Sequence, residues 1–504
     1  MNFFDVNKVE TMVLKKLSLN YSIIFLFIGC LYWGNNSFAA ETQISETENS
    51  KKSFVLKNKT LLAATGANSN SGAVGRFPGD FDKLAHIMET HESALSALTP
   101  DWLNIGIEHR TRFEAYDNGF TRGIPGDNEQ IHQRTRFLFE IKNILDPLQF
   151  TLELTDIRAP MSHHGQASSN VFSNHFDFTQ LHLDLVTKDF FGTGHAAKLE
   201  VGRMVMDFGE GRLVAGHRWG TLTPTFDGVQ VRLGTDQEGW GLRAFGTRPV
   251  NREPTHLDWN TPETYFSGIH ITSRDLAWAN ADLYFFELNE GNKGRKRDIS
   301  TTGFRVFAKP NKGQLDYEIE SMYQFGEVGS TNYFAHRHHG EIGYSFNTKM
   351  PFRIVYPFDY SSGDRDPNKN FDFLFAKRRV EFGPTGILGI FFPSNIISPV
   401  GLRATLSPTP TVRLMMSHRA FWLADKRGAF VGSGLQDATG QAGSFLGNLF
   451  DMSLSWSPQT SYLRHMSLDV GYSHLFKGSY FDKVSQSPGS ADTNYGYTML
   501  TFKF

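Results

Sequence analysis

The stretch WLNIGIEHRTRFEAY (residues 102–116) alternates between apolar and charged side chains. The two kinds occupy opposite parities: Leu103, Ile105, Ile107 and Phe113 on one, and Glu108, Arg110, Arg112 and Glu114 on the other. Because successive side chains of a β-strand point to opposite faces, the pattern predicts a strand with one apolar face and one charged face. Such a strand is much longer than the roughly five or six residues usual in soluble proteins.

The same alternation recurs along the chain, as four further segments show: IHQRTRFLFEI (131–141), LQFTLELT (148–155), QLHLDL (180–185) and QLDYEIESMYQF (314–325). Segments of about ten residues with this alternation are typical of transmembrane β-barrels. The apolar parity would face lipid, where no water competes, and the charged parity would face a water-filled lumen.

The connections between these segments fall into two classes. Tight turns are predicted at 143–147, 234–239, 309–313, 347–351 and 407–411. Long polar segments are predicted at 117–129, 159–177, 204–225, 248–262, 289–299, 326–338, 361–396, 425–447 and 475–493. Nine long loops imply about 18 strands, with long extracellular loops and short periplasmic turns. We therefore predict an all-β fold, a transmembrane antiparallel β-barrel of about 18 strands over residues 101–504.

The N-terminus has the features of an export signal. Lys15 and Lys16 precede the apolar run 21–33, and SFAA (37–40) offers small residues for cleavage. We predict a signal peptide over 1–39, with a lipoprotein signal at Cys30 as the alternative. Residues 40–100 are polar and unpatterned and predict a flexible periplasmic extension, with a short helix near 82–98.

Composition narrows the class further. A formal net charge of −2 gives no basic stripe for nucleic acid. Cys30 is the single cysteine, so the mature chain has no disulfide and no thiol chemistry, and no metal or cofactor is expected. The final stretch YGYTMLTFKF (495–504) is amphipathic and ends on Phe504, which predicts recognition by the barrel assembly machinery. These features place the protein in the outer membrane of a Gram-negative cell, surrounded by lipid.

Three stretches resemble the alginate-export family of outer-membrane channels. They are VGRMVMDFGEGRLVAGHRWGTLTPTFDGVQVRL (201–233), FDYSSGDRDPNKNFDFLF (358–375) and GYSHLFKGSYF (471–481). The resemblance implies a monomeric 18-strand barrel whose charged residues line a narrow path for anionic sugars. It does not fix the solute, because many relatives are general porins. The chain departs from the family pattern at AKRR (376–379).

Charged residues of lumen parity are the candidate solute-binding groups, since rings of charge set the selectivity of pores and Arg favours anions. They are Arg110, Arg112, Arg134, Arg136, Arg232, Arg243, Arg305, Arg353, Arg413, Glu108 and Glu140, together with Arg203 and Arg212 from the family match. The alternative for the lumen-parity residues is that they pair across strands and fill the wall. The alternative for Arg203 and Arg212 is that they pin a long loop to the wall. A hairpin folded near residue 122 would gather four of the arginines (110, 112, 134 and 136) in the outer half as an anion vestibule.

Other motifs have alternative interpretations. SGDRDPN (362–368) spaces Asp364 and Asp366 as in a calcium loop, but lacks the Gly and distal Glu of an EF-hand, so a self-capped polar turn is favoured. HRHH (336–339) could bind metal, but on an extracellular loop without carboxylates it is expected to be solvated.

An outer-membrane enzyme is the rival function. Ser473 and His474 are adjacent on a strand, so they face opposite ways and cannot form a nucleophile–base pair. A plugged transporter needs a larger N-terminal domain than residues 41–100 provide, and an adhesin or a non-selective porin is also open. We predict a passive channel for small hydrophilic anions, sugar acids or polysaccharide, and no enzyme activity.

Overall fold

The computed structural model describes residues 99–504 except 123–125, 146, 163–172, 217–218, 237–238, 292–295, 377–393, 461, 486 and 488. The predicted signal peptide, almost all of the extension with its helix, Cys30 and most of the AKRR segment lie outside the described residues. Within the described part of the chain, no helix is both long enough and apolar enough to cross a membrane.

Antiparallel strands form nearly all of the described structure. The long strands are β1 Leu103–Asp117, β2 Asn128–Leu145, β3 Leu148–Ser162, β4 Asn174–Thr187, β5 Ala197–Met204, β6 Phe226–Gly234, β7 Trp240–Asn251, β9 Thr264–Ser273, β10 Asn280–Glu290, β11 Arg297–Phe307, β12 Gln314–Val328, β13 Thr331–Phe346, β14 Phe352–Ser361, β15 Ile396–Thr409, β16 Val412–Leu423, β19 Phe445–Trp456, β20 Met466–Lys477 and β21 Thr493–Lys503. The two-residue strands β8 Trp259–Asn260, β17 Ala429–Phe430 and β18 Leu435–Gln436 lie in loops, as do a 3-10 turn, Pro367–Lys369, and helix α1, Ser479–Lys483.

The main sheet closes into a barrel. Each long strand pairs with its neighbours in the sequence, and β1 pairs with β21 from Glu108–Lys503 to Asp117–Asn494. The sheet has 19 strands, and β8 joins β7 alone, which leaves 18 in the wall. Closure gives every wall strand two partners, so no sheet edge meets the lipid. The predicted 18-strand antiparallel barrel is confirmed.

Strand β1 shows why the alternating pattern produces this wall. Glu108 and Arg112 are 1% and 3% exposed, whereas Phe113 between Arg112 and Glu114 is 38% exposed. The charged parity therefore points into the barrel and the apolar parity points outward, as the sequence predicts. The lipid supplies the environment that the outward side chains need, so they remain exposed in the isolated chain.

One predicted loop is wrong. Residues 326–338 form no long loop, because β12 continues to Val328, β13 begins at Thr331, and a two-residue turn joins them. Gly329 adopts a φ of 65°, which a tight hairpin turn requires and which glycine adopts without steric strain. The polar residues there are strand residues, and HRHH lies within β13. A short turn still joins two antiparallel strands at this position, so the predicted number of strands is unchanged.

The lumen is also less polar than its parity predicts. Inward positions of β7, β9 and β10 carry the buried rings of Phe245, Phe266 and Phe286, which belong to one apolar cluster with Leu213 and Val214 of the β5–β6 connection. A second cluster joins Phe120, Phe430 and Phe481, from three other loops on the same side of the barrel, to Trp219. Part of the lumen is thus filled by loops that fold inward and bury apolar surface.

Candidate functional site

The β5–β6 connection, residues 205–225, crosses the lumen, and we call it the crossing segment. At one end, the Arg212 guanidinium donates to Glu318 Oε1 (2.6 Å) and Glu320 Oε2 (2.5 Å) of β12. At the other end, Trp219 and Gly220 lie against β1 and β2. In the closed barrel of 18 wall strands, β12 is the ninth strand after β2 and therefore lies opposite it. The segment thus reaches from one side of the barrel to the other.

Residues 371–376, in the connection that follows β14, pack on the crossing segment. Phe375 N donates to Leu213 O (2.8 Å) and Ala215 N donates to Phe375 O (3.1 Å), which makes a parallel bridge between Val214 and Phe375. The Phe375 ring contacts the rings of Phe226 and Phe266, each at 4.9 Å between centroids. These backbone and ring contacts fix both loops inside the barrel and narrow the lumen.

The four arginines of β1 and β2 lie together, as the hairpin predicts. Arg110 and Arg134 are direct cross-strand partners, and Glu108 faces Arg136. Glu108 accepts hydrogen bonds from Arg134 and Arg136, each at 2.8 Å. The prediction that all four lie in the outer half is wrong. Arg112 lies on the extracellular side of Arg110, the central residue of β1, but Arg136 lies on its periplasmic side.

Three of these arginines hold the crossing segment. Arg110 and Arg134 donate to Gly220 O at 3.1 and 3.0 Å, and Arg112 donates to Trp219 O at 2.5 Å. All three are at most 3% exposed. Backbone carbonyls can satisfy buried guanidinium groups, which would otherwise be costly to remove from water. These side chains therefore position a loop over their sector of the wall.

Arg305 and Arg353 form ion pairs within the opposite wall, and Arg305 also pairs with the crossing segment. Arg305 donates to Glu318 (2.8 Å), Asp282 (3.1 Å) and Glu210 of the crossing segment (2.8 Å). Arg353 binds Asp316 through two nitrogens. This geometry agrees with the wall-filling interpretation for these two residues.

The family-matched arginines pin loops. Arg212 holds the crossing segment to β12, as described above. Arg203 shares the outward parity of Val201, which is 47% exposed. It binds Asp227 through two nitrogens at 2.8 and 3.1 Å and donates to Asp258 O (3.1 Å). Arg203 therefore fastens the 252–263 loop to the wall.

Three further candidates, Arg232, Arg243 and Glu140, lie on β6, β7 and β2. Arg232 and Arg243 are cross-strand partners on β6 and β7. Arg232 lies 3.4 Å from Glu200, and Arg243 donates to Asp207 O (3.0 Å) and pairs with Asp236. Glu140, near the periplasmic end of β2, accepts from Lys142 and Asn104, both at 2.7 Å.

Several inward cations were missed by the sequence analysis. Lys198 lies 2.8 Å from Asp184 and 3.2 Å from Glu200, and Lys503 lies 3.7 Å from Glu108. Their strands have the same alternation as β1, so parity could have identified them. Arg337, Arg403 and Arg419 also face inward and pair with Asp359 or Glu341.

One group of side chains has metal-ligand chemistry. His182, Asp184 and Glu200 are buried, and their ligand atoms lie within 4.8 Å of one another. Lys198 already neutralises both carboxylates, and Arg232 approaches Glu200. Lys198 therefore supplies a positive charge to both carboxylates, and these side chains form an ion network.

The other motifs have structural explanations. Asp364 Oδ1 accepts from Asp366 N and Asp366 Oδ1 accepts from Asn368 N, both at 2.9 Å, which confirms the self-capped turn. Ser473 is buried and donates to Asp451, while His474 contacts Asn494 on the other face. The two side chains thus diverge, as predicted.

Asp258 is a carboxyl of the 252–263 loop that contacts residues of the wall strand β4. Burial raises the pKa of Asp258 to about 6, and the backbone N–H of Glu253 opposes that shift, while the charge of Asp177 adds to it. The Asp258 backbone N–H donates to Asp177 Oδ2 and its side chain accepts from Asn174 (2.8 Å). Protonation of Asp258 therefore stabilises the folded position of the 252–263 loop against the wall.

The chain matches a known protein family, and its fold is similar to those of solved outer-membrane proteins. Residues 101–495 match the alginate export family. The fold is similar to that of Pseudomonas aeruginosa OpdQ, with a TM-score of 0.54 and 11% identity over 81% of this chain and 99% of that one. P. aeruginosa OccK2 (OpdF) in complex with glucuronate gives 0.52 and 10% over 80% and 96%. P. aeruginosa OccD3 (OpdP) gives 0.51 and 9% over 80% and 91%. No curated protein matches the chain in sequence.

At these identities the solved structures establish the shared fold, and the family match covers most of the chain. The closed barrel agrees with both comparisons. The protein therefore belongs to the alginate export family and is an outer-membrane β-barrel channel.

Proposed function

We propose that the protein is a passive channel for small hydrophilic anions, with sugar acids as the preferred solutes. One observation carries the proposal. In three lumen ion pairs the cation is the more exposed partner: Arg136 at 14% against Glu108 at 1%, Lys198 at 29% against Asp184 at 3%, and Arg232 at 31% against Glu200 at 3%. A solute in the lumen thus meets the cation first.

This arrangement suits carboxylates. Lysine and arginine at the surface of a pore favour anions, and the planar guanidinium can donate two parallel hydrogen bonds to one carboxylate. The buried acids hold the cations in place and lower the free-energy cost of gathering them. OccK2, which shares the fold, was solved with glucuronate, a sugar acid. That solute chemistry agrees with the proposal.

The crossing segment makes the path narrow. An open 18-strand barrel would enclose a wide aqueous channel. Here residues 205–225 and 371–376 occupy part of that space, so a solute must pass close to the wall. Close passage strengthens its interaction with Arg136, Lys198 and Arg232, because the field of a partly buried charge is screened less than in bulk water.

The test is the reversal potential in a planar bilayer under a salt gradient. R136Q/K198Q/R232Q should shift the potential toward cation preference, most at low salt. R158Q is the matched control, because Arg158 is 53% exposed on the outward parity of β3. R136K should keep wild-type selectivity. An unchanged potential in a triple variant that still folds would mean a general, non-selective porin.

We further propose that the chain acts as a monomer in outer-membrane lipid after removal of residues 1–39. A new N-terminus at Ala40 without acylation, measured by mass spectrometry of membrane-extracted protein, is the expected result. An acylated Cys30 would contradict it.

A further inference from the structure

A small cavity lies between the barrel wall, the crossing segment and the 252–263 loop. It is partly open and has room for roughly one or two water molecules, which suits a carboxylate group but not a whole sugar. Its lining includes Arg134 and Arg136 of β2, Thr223 and Thr225 of the crossing segment, and Arg252 and Asp258 of the loop. Three guanidinium groups thus line one small space.

Arg252 differs from the other two arginines because it has no partner of its own. Among the described residues, its guanidinium makes no hydrogen bond and no ion pair. The side chain is half-buried, and burial lowers the pKa of Arg252 while the charge of Asp258 opposes that shift. A guanidinium that has lost part of its hydration without gaining an acceptor is costly. An acceptor in the cavity would therefore be stabilised by this side chain.

The acids beside the cavity do not supply that acceptor, because other donors already hold them. Asp258 accepts from Asn174 and from a backbone N–H of its own loop, both at 2.8 Å. Asp177, which also lines the cavity, accepts from the Asp258 backbone N–H and pairs with Arg203 at 3.5 Å. The N–H donors of Arg252 thus remain available to a group that enters from outside.

We propose that Arg136 and Arg252 bind the carboxylate group of a permeating solute in this cavity, an inference that rests on the anion preference proposed above. Arg136 lines the cavity from the wall, and its side chain is 14% exposed. Guanidinium groups match the geometry of a carboxylate and can donate two parallel hydrogen bonds to it. The hydroxyls of Thr223 and Thr225 lie on the side of the crossing segment and are further donors. The rest of a sugar acid is too large for the cavity and stays in the lumen.

The experiment measures binding of glucuronate to the full mature chain in detergent by isothermal titration calorimetry, with neutral glucose as the comparison solute. R252Q should weaken glucuronate binding at least about tenfold, since a hydrogen bond to a charged group contributes that much. R252K keeps the charge but loses the planar fork, so its affinity should be intermediate. R248Q is the matched control, because Arg248 precedes the loop on β7 and donates to the hydroxyl of exposed Tyr265 (2.7 Å). It should bind glucuronate like the wild type.

The reversal potential under a salt gradient separates this inference from the proposed function. R252Q should shift the potential far less than R136Q/K198Q/R232Q, because the three exposed cations remain. Wild-type glucuronate affinity in folded R252Q overturns the carboxylate site even if the channel prefers anions. Weakened binding in R252Q, in a channel without anion preference, supports the site and overturns the proposed function.

Heat-modifiable migration in gels checks that each variant is folded. If R252Q does not fold, R252K takes its place, and wild-type affinity in R252K then overturns the site.

Discussion

Arg212 shows how one side chain can hold a loop across a pore. Its side chain is 1% exposed, and one of its nitrogens donates to both Glu318 and Glu320. Removing one member of a buried ion network leaves the other charges without compensation. The fold therefore depends on this residue more than on the exposed cations of the lumen.

We expect R212Q to lower the free energy of unfolding by about 3–5 kcal/mol, the usual range for breaking a buried ion pair. Urea unfolding in detergent, followed by tryptophan fluorescence, measures the change. R232Q is the control, since Arg232 is 31% exposed and should change stability by less than about 0.5 kcal/mol. Equal effects of the two variants would contradict the role assigned to Arg212.

Asp258 predicts a pH dependence of the 252–263 loop. Because its folded pKa is raised to about 6, chiefly by burial, the folded state binds the proton more tightly than the unfolded chain. The resulting stabilisation is complete below about pH 4 and is lost as the pH rises through 6. The wild type should lose more thermal stability than D258N between pH 5 and pH 8. The same pH response in both proteins would exclude Asp258 as the group responsible.

At the scale of elements, the crossing segment is separable from the wall that it fills. Met204 and Phe226 are cross-strand partners at the ends of β5 and β6. A two-residue Asn-Gly turn can therefore connect the strands without 205–225. The strand pairing of the wall does not need the segment. Glu318 and Glu320 lose Arg212, and the arginines of β1 and β2 lose the loop carbonyls, so heat-modifiable migration must first show that the shortened chain folds.

Replacing 205–225 by this turn should raise single-channel conductance several-fold, because the segment occupies space between opposite walls. Single-channel recording in planar bilayers measures it. A matched control replaces the exposed residues of the 437–441 loop tip, which is not part of the crossing segment. Wild-type conductance in the shortened chain would show that the segment does not limit flow.

The closing strand β21 gives a second prediction at this scale. Phe504 exchanges two backbone hydrogen bonds with Ile107, at 2.9 and 2.8 Å, and its ring stacks on His465. Deleting Phe504 should reduce the folded, heat-modifiable fraction in outer membranes, because this residue completes the β1–β21 seam and ends the predicted assembly signal. The fraction is read from unheated and heated gel samples. The conservative variant F504Y should assemble normally, and normal assembly of the deletion would refute the prediction.

At the scale of the whole molecule, three lumen ion pairs set a buried acid against a more exposed cation beside a narrowed path. The proposed function predicts that glucuronate added to one side reduces KCl current in a concentration-dependent way, while neutral glucose at the same concentration has little effect. Noise analysis of the open channel measures the binding. Equal block by both sugars would indicate that hydroxyl groups, and not the carboxylate, are recognised.

The sequence by itself determined the barrel. Period-two alternation is a local property of the chain, so segments such as 102–116 report which side chains face lipid and which face inward. The count of about 18 strands and the adjacency of Arg110, Arg112, Arg134 and Arg136 also follow from local parity and hairpin order. The histidine run HRHH can be read from the sequence, but its position within strand β13 was not predicted.

Only the tertiary structure decided how the lumen is filled. A polar segment such as 205–225 reads the same whether it extends into solvent or folds inward. Its position depends on contacts with β1, β2 and β12, which lie far away in sequence and meet only when the barrel closes. For the same reason parity could not show that Arg112 and Arg212 hold a loop while Arg232 stays only half-buried. Burial is set by long-range packing, which no local pattern encodes.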